Sequence, residues 1–193
     1  MGAQNILSGN IIEDPSFERA RSSQGSTPRG WKNCGAKDES PVDVHSNKTL
    51  GYYFYVDTRA EDGEQYVGMT VRNNGTTECM SYTVKQGIPF GEYEILLTVA
   101  VPKWMRSLDR LTGQMTHFDH PVVLRVVGER EDGETVQLTE TPPVSTLEWK
   151  TYRLMARSAD NLKRIRLEAH FALGVPGNGY VLIDRFEFAL VED

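Results

Sequence analysis

Gly91-Glu-Tyr-Glu-Ile-Leu-Leu-Thr-Val-Ala-Val-Pro102 decides the fold. Tyr93, Ile95, Leu97, Val99 and Val101 alternate with Glu94, Leu96, Thr98 and Ala100, a period of two that places one set on each face of a strand. Prolines 89 and 102 and Gly91 bound the run. Working outward, Pro121–Gly128 and Thr135–Thr139 flank Asp132-Gly133, a pair that tolerates the positive φ angles of a tight hairpin, so these two segments should pair antiparallel. Trp149–Ala156, Ile165–Phe171 and Tyr180–Val191 are further strand segments. Gln65–Val71 and Glu78–Val84 are shorter ones joined by the turn signal Arg72-Asn-Asn-Gly75. No segment sustains apolar residues at helical spacing with a cap at its start, so no helix should exceed about two turns. Eight to ten short strands without helices predict an all-β protein, a two-sheet antiparallel β-sandwich or barrel.

The chain has 193 residues, 39% hydrophobic and 25% charged, enough to build one core and too apolar for a disordered tract. A net charge of −6 gives no general attraction to phosphate backbones, which argues against nucleic acid as a partner. No apolar run approaches the roughly 20 residues of a membrane helix, so no membrane insertion is expected. Two cysteines are too few for a disulfide scaffold and lack zinc-site spacing. Arg19–Ser46 and Lys103–His120 read as long loops, the kind that more often carries function.

Several short motifs carry a family resemblance. Asn10-Ile-Ile-Glu-Asp-Pro-Ser-Phe-Glu18 followed by Gly30-Trp31 resembles the opening of galactose-binding-like jelly rolls, which include many carbohydrate-binding modules. Gly63–Met69, Gly91–Ala100, Trp149-Lys-Thr-Tyr152 and Val181-Leu-Ile-Asp184 with Phe186–Leu190 resemble later strands of that family. The variant it looks most like occurs in Bacteroidetes surface proteins. The resemblance implies an exported protein of the periplasm, cell surface or extracellular space. It also implies an N-terminal segment at 1–9, made of a mature N-terminus and a cloning remnant, before a single jelly-roll domain at 10–193. Jelly rolls of this kind commonly hold a structural calcium ion. Carried over, Glu18 and Asp184 would be its side-chain ligands, with a salt bridge to Arg185 as the metal-free alternative. In an oxidising compartment Cys34 and Cys79 are expected to pair, a buried free thiol being the alternative.

Binding a sugar takes aromatic faces and planar polar side chains. Trp31 and Trp149 fall at family positions that pack in the core, whereas Trp104 sits inside the Lys103–His120 loop. With Ile165, Leu167, Ala169 and Phe171 inward, Arg166, Glu168 and His170 share the outer face with Arg125. These five residues, Trp104, Arg125, Arg166, Glu168 and His170, are the expected ligand contacts; a solvated face of ion pairs is the alternative for the last four. Strand alternation across Tyr52-Tyr-Phe-Tyr55 would bury half of that run, and packing is its expected role. His117-Phe-Asp-His120 lacks a third distant ligand, and no nucleophile elbow or phosphate loop is present. The expected function is a non-catalytic carbohydrate-binding module whose partner is a glycan. The alternative is a structural or protein-interaction module of a bacterial envelope, secretion or gliding assembly, which would bind an envelope protein through Lys103–His120. A glycoside hydrolase would need two carboxylates facing each other across a cleft.

Overall fold

A computed structural model describes residues 9–36 and 41–191. The expected N-terminal segment 1–9 lies, but for Gly9, outside the described residues. Twelve strands are formed among them: β1 (Trp31–Asn33), β2 (Asp43–Ser46), β3 (Gln65–Val71), β4 (Cys79–Ile88), β5 (Gly91–Ala100), β6 (Arg106–Leu108), β7 (Met115–His117), β8 (Val122–Glu129), β9 (Thr135–Glu140), β10 (Lys150–Ser158), β11 (Leu162–Phe171) and β12 (Gly179–Leu190). The only helical turns among the described residues are single 3-10 turns at Asn47–Thr49 and Ala172–Gly174. Sheet I runs β10-β5-β12-β3-β2 and sheet II runs β1-β4-β11-β8-β9, every pairing antiparallel. β6 and β7 form a separate hairpin. The chain is therefore a two-sheet β-sandwich.

The opening alternation holds residue by residue. Tyr93, Ile95, Leu97 and Val99 of β5 are buried and meet Leu124, Val126, Ile165 and Leu167 from sheet II in one apolar core. Burying each such side chain contributes about 1.5–3 kcal/mol. Trp31 lies in that core against Tyr82 and Phe186, whereas Trp149 is half-buried and donates its indole N–H to the Arg59 carbonyl at 2.7 Å. The Asp132-Gly133 hairpin joins β8 to β9 as expected.

In β12, Val181 and Ile183 face the core, and continued alternation would turn Arg185 inward. A bulge between Ile183 and Arg185 resets the phase, so that Phe186 and Phe188 face the core instead. Asp184 is the extra residue, fully buried.

Three expectations about connections change. Arg72–Gly75 is a tight turn, with Gly75 N–H donating to the Arg72 carbonyl at 2.9 Å, but beyond a single bridge from Val71 to Thr77 the strands β3 and β4 part into opposite sheets. A turn signal fixes local chain reversal, not which sheet receives the outgoing strand. Arg19–Ser46 contains β1 and β2, and Lys103–His120 contains the β6–β7 hairpin, so neither is a plain loop. These strands have three or four residues each, too short for a period to register.

Candidate functional site: a cleft under the β6–β7 hairpin

Antiparallel register brings four expected contacts together on the outer face of sheet II. Glu168 lies opposite Arg125 and accepts from Arg166 at 2.8 Å and from His170 Nε2 at 3.0 Å. Arg125 reaches Glu140 at 2.9 Å and His170 Nδ1 at 3.3 Å. A guanidinium only donates, so Nδ1 accepts and the proton sits on Nε2, which donates to Glu168. The His170 hydrogen bond and the two arginines hold the Glu168 carboxyl below its ordinary value. Each charge here is answered by a neighbour. Trp104 does not join this row: it lies beside the β6–β7 hairpin, half-exposed, with its ring 5.6 Å from that of His117. The five expected contacts thus divide between two places, because β5 delivers Trp104 to sheet I while the row belongs to sheet II.

Cys34 and Cys79 are joined by a disulfide, Cα–Cα 4.9 Å, which ties the segment after β1 to the start of β4. Arg166 Nη2 lies 3.7 Å from Cys79 Sγ.

Glu18 and Asp184 grip one loop from two sides. Glu18 Oε1 accepts the N–H groups of Glu64 and Gln65, both at 2.9 Å. Asp184 Oδ2 accepts those of Asp62, at 2.8 Å, and Glu61. Gly63 is the pivot: its φ is +68°, and a side chain there would collide with the Glu18 carboxylate. Burial pushes the Asp184 carboxyl up to about 7, against the two N–H donors and reinforced by the charges of Glu61 and Asp62. Its Oδ1 is buried without a hydrogen-bond partner. Arg185 pairs with Glu187 at 2.5 Å rather than with Glu18 or Asp184. Among the described residues no three His, Cys, Asp or Glu side chains converge on a metal-sized site. Asp184 Oδ1, hard and unsatisfied, suits a calcium ligand, with carbonyl or water oxygens left to complete the shell.

The outer face of sheet I is covered. Tyr66, Tyr180 and Leu182 point outward from β3 and β12 and pack with Val56, Met105 and Phe118, a second apolar cluster beneath residues 54–60 and the β6–β7 hairpin. Asp109 pins the hairpin. Its carboxylate accepts from Thr112 N–H, the Asn178 side chain and Leu111 N–H, which keep its carboxyl at about 2, and also from the Asn73 side chain. Gly68 leaves room for Tyr180, whose hydroxyl donates to Asp43 at 3.0 Å and faces His45 Nε2 at 2.8 Å. Burial raises Asp43 to about 6 and lowers His45 to about 4, so His45 is neutral and donates. Because β2 stops opposite Gly68, the Thr70 N–H has no strand partner; Glu78 takes it at 2.9 Å and pairs with Arg72 at 2.5 Å. Burial drives the Glu78 carboxyl upward while Arg72 opposes.

Above this buried polar floor opens a cleft of about 510 Å3, lined by Tyr52, Phe54, Tyr55, Arg106, Arg110 and Met115 among others. A chamber of about 80 Å3 beneath it reaches Asp43, Thr70, Arg72 and Glu78. Tyr52 is 77% exposed and Tyr55 62%. The run Tyr52–Tyr55 is not a strand, correcting the alternation read from its sequence. Val56 N–H donates to the Tyr53 carbonyl at 3.0 Å, and Phe54 and Tyr55 have φ of +53° and +65°, as in a type I′ turn. Left-handed backbone costs an L side chain about 1–2 kcal/mol per residue, and such outliers cluster at ligand clamps. Arg106 N–H donates to the Phe54 carbonyl at 3.1 Å, locking turn and hairpin together as the two walls of the cleft. Gly51, ahead of the four aromatics, was the available sequence signal that this run turns.

No protein-family model matches the chain, and no curated protein matches it. Solved structures share its fold at low identity. TmCBM61 in complex with β-1,4-galactotriose is 18% identical over 95% of this chain and 100% of that one, with a TM-score of 0.53. The CBM22-1 xylan-binding domain from Paenibacillus barcinonensis Xyn10C is 15% identical over 98% and 99%, at 0.57. A cyclase from Fischerella sp. TAU is 11% identical over 94% and 97%, at 0.54. The sandwich is thus the jelly-roll fold of carbohydrate-binding modules, and it is also found in a cyclase.

Proposed function

We propose that this chain is a non-catalytic carbohydrate-binding module of an exported or cell-surface protein, and that it binds its glycan in the cleft between the Tyr52–Tyr55 turn and the β6–β7 hairpin. The observation that carries this reading is the pair of exposed tyrosines, Tyr52 and Tyr55, that line a cavity on either side of a turn with Phe54 and Tyr55 in left-handed backbone. Tyrosine rings offer apolar faces to sugar C–H groups while their hydroxyls reach water or ligand. The neighbours TmCBM61, in complex with β-1,4-galactotriose, and the CBM22-1 xylan-binding domain support the same class of ligand. The row Arg125, Arg166, Glu168 and His170 suits a sugar less well, since each hydroxyl would have to displace an ion pair already made. Trp104 stays within the proposal as a residue beside the hairpin that carries Arg106. A glycan array followed by titration tests it. Tyr52→Ala and Tyr55→Ala should each weaken binding about tenfold, about 1.4 kcal/mol, without lowering the melting temperature. Unchanged affinity in both would remove the cleft from consideration.

A structural calcium ion at Asp184 belongs to this proposal, supported by the unpartnered Oδ1. It would cross-link β12 to the 61–65 loop, and chelation should then lower the melting temperature.

A second reading has its own support: Trp104, Leu108, Leu111 and Met115 expose apolar surface along the hairpin. As a module of an envelope assembly the chain would bind a protein there. An empty glycan array together with capture of an envelope protein that Leu111→Asp abolishes would favour it.

A further inference from the structure

We infer that the glycan taken by the cleft is acidic, a polysaccharide whose uronate carboxylates are bound by Arg106. The inference rests on the carbohydrate-binding reading and specifies its ligand. The chain as a whole carries −6, yet no residue lining the outer cleft is acidic, and two, Arg106 and Arg110, are cationic. Several arginines outside the cleft are matched to carboxylates, among them Arg125 with Glu140, Arg130 with Glu134 and Asp160, and Arg185 with Glu187. Arg106 is exposed, its cross-strand neighbour is His117, and no carboxylate pairs with it among the described residues. A guanidinium without a carboxylate partner, in a cleft whose lining holds no acid, favours an anionic ligand there.

The chemistry of the wall narrows the anion. A guanidinium presents two parallel N–H groups in a plane that matches a carboxylate, and the pair forms a bidentate fork. Tyr52 and Tyr55 on the facing wall supply ring faces for the pyranose carbons, so one sugar unit can meet both walls. A volume of about 510 Å3 suits a short run of sugar units rather than a free inorganic anion.

The deeper chamber explains why the anion stays at the rim. Its acids, Asp43 and Glu78, are engaged from below: Asp43 accepts from Tyr180 and from Gly25 N–H, and Glu78 from Thr70 N–H and Arg72. At about 80 Å3 it is too small for a sugar ring, so a pyranose is held in the outer cleft. Depth is thus set by size, with Arg106 holding the carboxylate in the outer cleft.

Titration calorimetry with polygalacturonate, its fully methyl-esterified form and neutral galactan tests the inference, with the melting temperature of each variant as a folding control. Polygalacturonate should bind at least tenfold more tightly than its ester, and raising NaCl from 20 to 300 mM should remove most of that difference. Arg106→Gln should erase the preference and Arg106→Lys should keep part of it, while Arg153→Gln, on the far β10 edge, should change nothing. Equal binding of acid and ester, or binding of galactan alone, overturns the acidic ligand and leaves the carbohydrate-binding reading intact. Preference for sulfated dextran over polygalacturonate overturns the uronate. No binding of any of these or of an array of neutral glycans overturns both readings.

Discussion

Replacing Asp184 by Asn should change how stability responds to pH more than it changes stability at any one pH. The carboxyl sits at the β12 bulge, fully buried, with a folded pKa of about 7 against an ordinary 3.8. Below pH 3.8 both folded and unfolded chains hold the proton. Between 3.8 and 7 the unfolded chain has lost it and the folded chain keeps it, so unfolding releases one proton and stability falls as pH rises. Above 7 both are ionised and the loss is complete. A gap of about 3 pH units at about 1.4 kcal/mol each puts the loss at about 4 kcal/mol. Urea unfolding at pH 4, 6 and 8 in a chelator, for wild type and Asp184→Asn, isolates it. Asp43 and Glu78 titrate with the same sign and His45 with the opposite one, but all three are common to both chains and cancel in the difference. The difference should move by about 4 kcal/mol in favour of Asn between pH 4 and 8. A difference that stays constant across that range would refute the claim that burial holds the proton on Asp184. Added calcium tests the ion at the same site: it should restore stability to the wild type alone, and most at pH 8, where the carboxylate is free to ligate.

Other outcomes follow from the same geometry. Reducing the Cys34–Cys79 bond, or replacing both residues by Ser, should cost about 4 kcal/mol in urea unfolding, the loop-entropy value for a 45-residue separation. Tyr55→Asn, which accepts the left-handed backbone more readily, should gain about 1 kcal/mol, or about 2–4 °C in a domain of this size, and yet weaken glycan binding. Gly68→Ala would push a methyl into the Tyr180 hydroxyl and should destabilise by about 3 kcal/mol, with loss of near-ultraviolet circular dichroism from the buried tyrosines.

What could be read from the sequence was what repeats over a distance. Tyr93 to Val101 and Ile165 to Phe171 show their inward faces because a long strand repeats its period, and Asp132-Gly133 shows its hairpin because turn chemistry is local. The same alternation put Arg125, Arg166, Glu168 and His170 on one face. It did not show that their charges would be spent on one another, because that depends on the register between strands, which sets Glu168 opposite Arg125. Glu18 and Asp184 were legible as a pair joining the two ends of the chain, but not the amides of 61–65 between them. The cleft was hidden for a similar reason. Its walls come from Tyr52–Tyr55 and Arg106–Met115, far apart in sequence, and its aromatics lie in a turn that period-two reading takes for a strand.

Asn10 bridges Ala189, and its side chain takes the Phe188 N–H at 3.0 Å, while β5, the second strand of sheet I, waits on β10 and β12 for both of its neighbours. Asn10 and Ile11 therefore cannot find these partners until β12 exists. A ribosome or a secretion channel that delivers this chain from its N-terminus must release nearly all of it before sheet I can close. The rate should be that of a non-local β-topology, milliseconds to seconds, and the waiting edge of β5 is where a chaperone would be needed.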